Sequence, residues 1–491
     1  MIINGYLLCL QNYRHFLFYL IQNDVLLKDF KDFALQQTNT LCSHIDSYLK
    51  EQHIPLQYLN SSKISKEEVA KAVWKTNPDK VGLIAAFSTV ELCNTMTVVP
   101  NRSTQKLEIT SRPTKCKHYY FYFNDAHFGW MFLKIQTWFP YNVQVYINGR
   151  EWLSKELDTQ GISYQKYSNS FSYIEDFDKA QEIADTFLHK KLSDSLDAIL
   201  QPFHCLLPDI QQTMNHSYYW CIDQCEFATD ITFKKREDLS SFYQTLVETT
   251  YFTFSSEDIY SFFGRNVDYI HTFRKGEMIS DLRHRYQGYR IKFKMNSNQI
   301  KMYDKGNNLR IEVTINNPKD FKIVKEKEVI NEDGTISKEK KWVPMGKSIA
   351  NLYRYVEISK SITKRYIEAL PQIDSEKLPL KEIEDISTKK EVNDRTYTGF
   401  NILNHETLRL FQILASGEFI MNGFDNKRIR NRFYEDSNHP PNIGRMTRLL
   451  SKLRAHGIIK KVARKNTYYL TKKGRKLTSS ILLYTRKEVL Q

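Results

Sequence analysis

Two acids, Glu226 and Asp230, stand four residues apart in a stretch (residues 218–233, YYWCIDQCEFATDITF) whose aromatic and β-branched content reads as a strand. Alternate side chains of a strand share a face, so both carboxylates project the same way. Two oxygen ligands on one face suit a hard divalent cation, Mg²⁺ or Mn²⁺. Residues 309–314 (LRIEVT) repeat the alternation: Arg310, Glu312 and Thr314 share one face, and apolar Ile311, Val313 and Ile315 the other. Just before them, residues 301–305 (KMYDK) carry Tyr303 and Lys305, and Gly306-Asn307-Asn308 joins the two runs as a hairpin. Such a set of acids and bases has two readings. It is either a cation site beside a reactive group, or a sheet surface whose charges pair with one another.

The second set is basic. From Pro441 to Gln491 there are fourteen Lys and Arg against one acid, Glu488, a net of +13 in a chain whose total is +15. Arg445, Arg448, Lys452 and Arg454 fall on the polar side of a helix predicted from Ile443 to His456, opposite a stripe of Met446, Leu449, Leu450 and Leu453. Gly457 supplies a left-handed cap. Two short strands follow, the first carrying Lys460 and Lys461. The turn between them holds Arg464 and Lys465, and Lys472 and Lys473 come after. Clustered Lys and Arg contact phosphates and position a protein on a nucleic acid without reading its sequence.

With helices opening at His405 and at Asn426, the order is three helices, a glycine cap and a basic hairpin. That order resembles the winged-helix fold. Residues 453–462 (LRAHGIIKKV) and 468–477 (YYLTKKGRKL) are similar to the end of many bacterial repressors, the MarR type among them. The resemblance implies a helix in the major groove of duplex DNA and a wing on adjacent phosphates. A protein-interaction role is the competing reading. RNA is an alternative partner, because a basic patch does not distinguish the two nucleic acids.

The acidic strand, the helix after it and the YDK hairpin with LRIE together resemble the rolling-circle replication initiators of small plasmids and filamentous phages, over about residues 218–318. The resemblance implies a metal-dependent nickase or endonuclease acting in replication initiation or on a mobile genetic element. Glu226, Asp230 and Glu312 would then be metal-side acids and Lys305 a phosphate contact. A separate tyrosine would attack a DNA phosphate and leave a 5′-phosphotyrosine link; Tyr286, Tyr289, Tyr303 and Tyr366 are the candidates. The chain departs from that family in two respects: none of its thirteen histidines forms a His-hydrophobe-His pair, and none of its tyrosines sits in an unambiguous nucleophile motif. Without catalysis, the same chain reads as a transcription regulator or the protein part of a ribonucleoprotein.

These residues need elements to hold them. A chain of 491 residues accommodates two to four domains, and 41% hydrophobic and 13% aromatic content is ample for packed cores. The periodicity predicts an α+β protein in four parts: a helical N-terminal region (1–78), an α+β body (79–370), a polar mixed-charge linker (371–396) and a mobile basic tail (397–491). The body begins with several short strands between about 80 and 148. One block in it, residues 127–153 (HFGWMFLKIQTWFPYNVQVYINGREWL), is similar to an uncharacterised family of bacterial proteins. There Lys134 and Gln136 alternate with apolar neighbours ahead of Trp138, Phe139 and Tyr141. That pattern is either core or a platform on which bases stack. Glu91, alone on an apolar strand, reads as a metal ligand or as a buried carboxylate satisfied by an arginine. Seven scattered cysteines without a CxxC pair argue against a zinc ribbon and for a reducing, prokaryotic cytoplasm. The apolar first residues read as a core helix, and no uninterrupted apolar run is long enough to cross a membrane.

Overall fold

Residues Ile2–Tyr6 form a strand, not the helix that their apolar content predicts. The strand pairs antiparallel with Val143–Tyr146 on one side and with Tyr219–Thr232 on the other. Gly5 permits this close fit: a Cβ there would lie 2.5 Å from Val143 Cγ2 and 2.7 Å from the Trp220 ring. The computed structural model describes residues 1–489 apart from 61–63, 168, 255, 265–277, 286–287, 331–335, 371–379, 403, 436–441 and 464. The chain is α+β, as its periodicity predicts, and none of the described helices is long and apolar enough to cross a membrane.

Contacts divide the chain into two units, Met1–Cys225 with Pro318–Tyr355, and Glu226–Asn317 with Val356–Gln491. In the first, the sheet runs from the opening half of Tyr219–Thr232 through Ile2–Tyr6, Val143–Tyr146, Gly129–Gln136, Lys106–Asp125 and Gly82–Asn101 to Leu56–Tyr58. Only the last pair is parallel. The short strands expected between 80 and 125 are two strands of twenty residues, Gly82–Asn101 and Lys106–Asp125, paired along their length. Two prolines, Pro100 and Pro113, fall within this pairing. Both lie where the hairpin is two-stranded, because Gly129–Gln136 stops at His118 and Leu56–Tyr58 covers only residues 86–88. A missing N–H is tolerated on such a single-sided ladder.

The second unit holds the antiparallel strands Met278–Arg285, Gly288–Met295, Asn298–Lys305 and Asn308–Ile315, in that order, next to the closing half of Tyr219–Thr232. Alternation decides which face is core. Ile291, Phe293, Met295, Ile300, Met302, Ile311, Val313 and Ile315 are fully buried. They lie under Leu239, Tyr243 and Val247 of the helix Arg236–Thr253 and under Tyr366 of the helix Leu352–Ala369. Each such side chain is worth about 1.5–3 kcal/mol of transfer free energy.

The end of the chain folds as helices His405–Leu414, Gly417–Asn422, Asn426–Tyr434 and Ile443–Ala455, the hairpin Ile459–Lys461 with Tyr468–Leu470, and the helix Lys472–Val489. The expectation of a separate, mobile tail does not describe these contacts. Gly417–Asn422 packs beside Met278–Arg285, and Lys472–Val489 beside Arg236–Thr253, within the second unit. The expected linker differs too. Residues 371–379 lie outside the described residues. Beyond them come the helix Leu380–Ser387 and the hairpin Lys390–Val392 with Arg395–Tyr397. Fully buried Ile386 and Phe400, which is 3% exposed, anchor that stretch.

Candidate nucleic-acid interface

The helix Ile443–Ala455 is capped at its start by the Asn442 side chain, which accepts from the Arg445 N–H. Met446, Leu450 and Leu453 turn inward. Gly444, Thr447, Arg448 and Arg454 turn outward. After the helix, Gly457 takes a φ of +69° and redirects the chain into the hairpin, where Lys460, Lys461 and Lys465 are exposed, as is Lys472 beyond it. Arg464 lies outside the described residues.

Three of the predicted contacts are otherwise engaged. Arg445 Nη2 donates to both carboxylate oxygens of Glu406 at 2.8 Å. Lys452 donates to the Gly399 carbonyl at 2.8 Å and lies 4.1 Å from the Phe400 ring centroid; burial lowers its pKa. Lys473 joins Lys390 on Asp385, and those two hydrogen bonds pull the Asp385 carboxyl down to about 2. His456 is buried, with Nε2 3.0 Å from the Thr398 carbonyl, and burial lowers its pKa as well. Arg448, Arg454, Lys460, Lys461, Lys465 and Lys472 are the exposed members of the predicted basic set.

The sheet cluster is built differently. Lys301 stands opposite Glu312, and Tyr303 opposite Arg310, on adjacent strands. Lys301 Nζ is 2.6 Å from Glu312 and 3.9 Å from Glu226. Arg310 reaches Asp230 at 2.8 Å and Glu312 at 4.0 Å. Tyr303 donates its hydroxyl proton to Glu312. Lys305, only 7% exposed, has its Nζ 5.2 Å from the Tyr303 ring centroid. Burial alone would raise the Glu312 pKa, but the charge and hydrogen bond of Lys301, with Tyr303 and Arg310, hold it below the ordinary carboxylate value. At Asp230 burial outweighs Arg310, and the carboxyl titrates higher than usual. The structure thus brings Glu226, Asp230, Glu312, Tyr303 and Lys305 into one cluster whose carboxylates already face cations. A Mg²⁺ or Mn²⁺ ion would have to displace Lys301 and Arg310 from the same oxygens.

Of the other tyrosines, Tyr366 is fully buried, the Tyr289 carbonyl accepts from Tyr243, and Tyr286 lies outside the described residues.

In the first unit, Lys134 is bound to Glu91 at 2.7 Å and the Gln136 amide donates to the Asn94 and Trp138 carbonyls. Phe139 and Tyr141 are fully buried, so the core reading holds for them. Burial would raise the Glu91 pKa; Lys134, Tyr120 and Lys66 overturn that and bring it down to about 2. Its partners are lysines rather than an arginine. The sequence reading missed a neighbouring group on the long hairpin. Cys93 and Cys116 have their sulfurs 3.0 Å apart, and His118 Nδ1 lies 3.9 Å from the Cys116 sulfur. A Cys-x-His pair on one strand was the visible half of that signal. No family model, no curated protein and no solved structure matches this chain.

Proposed function

We propose that this protein binds a nucleic-acid backbone, that of duplex DNA, through residues 443–472. The observation that supports this most is the outward basic set on one continuous helix–glycine–hairpin unit. Arg448 and Arg454 share the helix with Gly444 and Thr447, small enough for close approach of a phosphate backbone. Lys460, Lys461 and Lys465 extend the same charge onto the hairpin, as the wing of a winged helix would. Such contacts position a protein and are sequence-independent. The test is equilibrium binding of the full chain to a labelled duplex across a salt series, with single-stranded DNA and double-stranded RNA as competitors. Affinity should fall with salt, and the double charge reversal of Arg448 and Arg454 to Glu should abolish binding. Binding unchanged by that variant would sink the assignment; preference for the RNA competitor would move it to an RNA-binding protein.

Tyrosine-mediated strand cleavage is the second reading, and one contact favours it. Tyr303 donates to Glu312, a carboxylate held ionised by Lys301. In that reaction the tyrosine oxygen would bond to phosphorus, the 3′-oxygen would leave, and Glu312 would take the tyrosine proton. The divalent cation implied by the initiator resemblance does not fit among carboxylates already paired, so no step is assigned to it. Incubation of a labelled single strand with the protein, with and without Mn²⁺, should yield a covalent adduct lost in Tyr303→Phe. Absence of cut and adduct leaves binding as the function.

A further inference from the structure

The long hairpin of the first unit carries a donor set unlike anything in the sheet cluster. Its register sets Cys93 opposite Thr114, Glu91 opposite Cys116 and Thr89 opposite His118. Cys116 and His118 are two apart on one strand, and Cys93 is on the diagonal across the ladder, so all three side chains share one face. Their ligand atoms lie within 4.8 Å of one another, the one such group of His, Cys, Asp or Glu among the described residues. We propose that Cys93, Cys116 and His118 bind a zinc ion in a tetrahedral site whose fourth position is open to water.

The donor chemistry selects the metal class. Two thiols and an imidazole form a soft-to-borderline set suited to Zn²⁺, whereas Mg²⁺, Mn²⁺ and Ca²⁺ prefer oxygen ligands. The distances decide whether an ion fits. With Zn–S near 2.3 Å and Zn–N near 2.0 Å, tetrahedral edges are about 3.8 Å between two sulfurs and about 3.6 Å between sulfur and nitrogen. Two of the separations are 3.0 Å and 3.9 Å and all three ligand atoms lie within 4.8 Å of one another, so side-chain adjustments of about 1 Å complete the site. Two half-buried cysteines supply the sulfurs, and His118 is 2% exposed, which fixes its ring at the back of the site. Its Nδ1 lies 3.2 Å from the Cys116 carbonyl; metal binding would draw that nitrogen toward the sulfurs and leave the proton on Nε2. The flanking pair Thr95 and Thr114 is hydrogen-bonded within itself at 2.6 Å, and Glu91 is held by Lys134 and Tyr120. Three protein ligands with a vacant vertex is the arrangement of zinc sites that act on a bound water, while structural sites take four.

A cross-strand disulfide is the rival for the same sulfurs. It requires an S–S distance of about 2.05 Å and has no use for the buried imidazole on the same face.

Full-length protein, purified under reducing conditions and stripped with a chelator, is titrated with Co²⁺. The expected result is one equivalent bound, with a sulfur-to-cobalt charge-transfer band and tetrahedral d–d absorption, both displaced by Zn²⁺. Cys93→Ser and His118→Gln should lose the bands, and Cys205→Ser, outside the group, should keep them. Circular dichroism of each variant checks folding; if the first two do not fold, the charge-transfer band and stoichiometry of the wild type decide. A reduced wild type without a cobalt spectrum overturns the site. So does protein that arrives metal-free and two hydrogens lighter, because the sulfurs are then a disulfide.

Discussion

On the sheet of the second unit, three acids (Glu226, Asp230, Glu312) face three bases (Lys301, Lys305, Arg310), and Glu312 and the three bases are mostly out of water. Between 443 and 472 the bases have few acids to meet, and six of them stand in solvent. The two charged regions thus lead to opposite physics. Where cations and carboxylates alternate across strand pairs, the field closes on itself, and removing one member strands another in a poorly hydrated place. Where bases outnumber acids on a surface, the field reaches outward and is available to an anion within roughly a Debye length, about 8 Å at physiological salt. The first arrangement holds a sheet together; the second attracts a polyanion.

That contrast predicts where stability resides. Lys301→Met should be the most damaging of these charge substitutions, lowering unfolding free energy by about 3 kcal/mol or more. It leaves Glu312, with a side chain only 8% exposed, without its 2.6 Å partner. Adding Glu312→Gln to the same chain should recover part of the loss. Arg448→Ala should stay within about 0.5 kcal/mol of wild type, as an exposed position does. Urea unfolding of the four proteins makes the comparison; equal losses at Lys301 and Arg448 would show that the sheet cluster is not mutually dependent.

Binding should sort the same residues in reverse. Each phosphate contact removed lowers the salt slope by about 0.9, so Arg448→Ala and Arg454→Ala should each show that decrement. Lys301→Met should leave the slope unchanged. Lys452→Ala is the sharper case: sequence spacing ranks it with Arg448, but its ammonium is spent on the Gly399 carbonyl. Its slope should match wild type while its thermal stability falls. A full decrement at Lys452 would mean that residues 399–400 release it when nucleic acid arrives.

How much of this was legible follows from the range of each interaction. The hairpin 298–315 was readable because its core face alternates strictly, Ile300, Met302, Ile311 and Val313 against Lys301, Tyr303, Arg310 and Glu312. The helix Ile443–Ala455 was readable from its apolar stripe and the glycine after it. Ile2–Tyr6 was not, because the strands that pair with it, Val143–Tyr146 and Tyr219–Thr232, lie more than a hundred residues further along the chain. Cys93 and Cys116 escaped because strand register, set by the whole hairpin, brings together residues twenty-three apart. The engagement of Lys452 and Lys473 escaped for a similar reason. Their partners Gly399 and Asp385 come from a polar stretch whose fold depends on Ile386 and Phe400 finding a core.

The smallest expected effect separates two aspartates, Asp230 in the sheet cluster and Asp385 beside the basic segment. Asp385, held at about 2 by Lys390 and Lys473, is depressed from its ordinary 3.8. A depressed carboxyl stabilises the fold above its unfolded value, and that contribution disappears as pH falls from about 3.8 toward about 2. Asp230 is shifted the other way by burial. A raised carboxyl favours the fold when protonated, so its contribution is complete below 3.8 and is lost as pH rises through its folded value. Acidification should therefore cost the fold at Asp385 while favouring it at Asp230. Melting temperatures between pH 5 and 2.5, each taken relative to wild type, read this directly. Asp385→Asn should close the gap to wild type as pH falls, because the wild type loses what the variant already lacks. Asp230→Asn, which mimics the protonated side chain, should compare best with wild type at the upper end of the range and lose ground on acidification. Solvent screens Asp385, whose side chain is 36% exposed, so its curve should shift modestly and shrink in high salt. The Asp230 side chain, 26% exposed, is screened only somewhat less, so its curve should shrink less in high salt. Parallel curves for the two variants would mean that pairing, not burial, governs both regions.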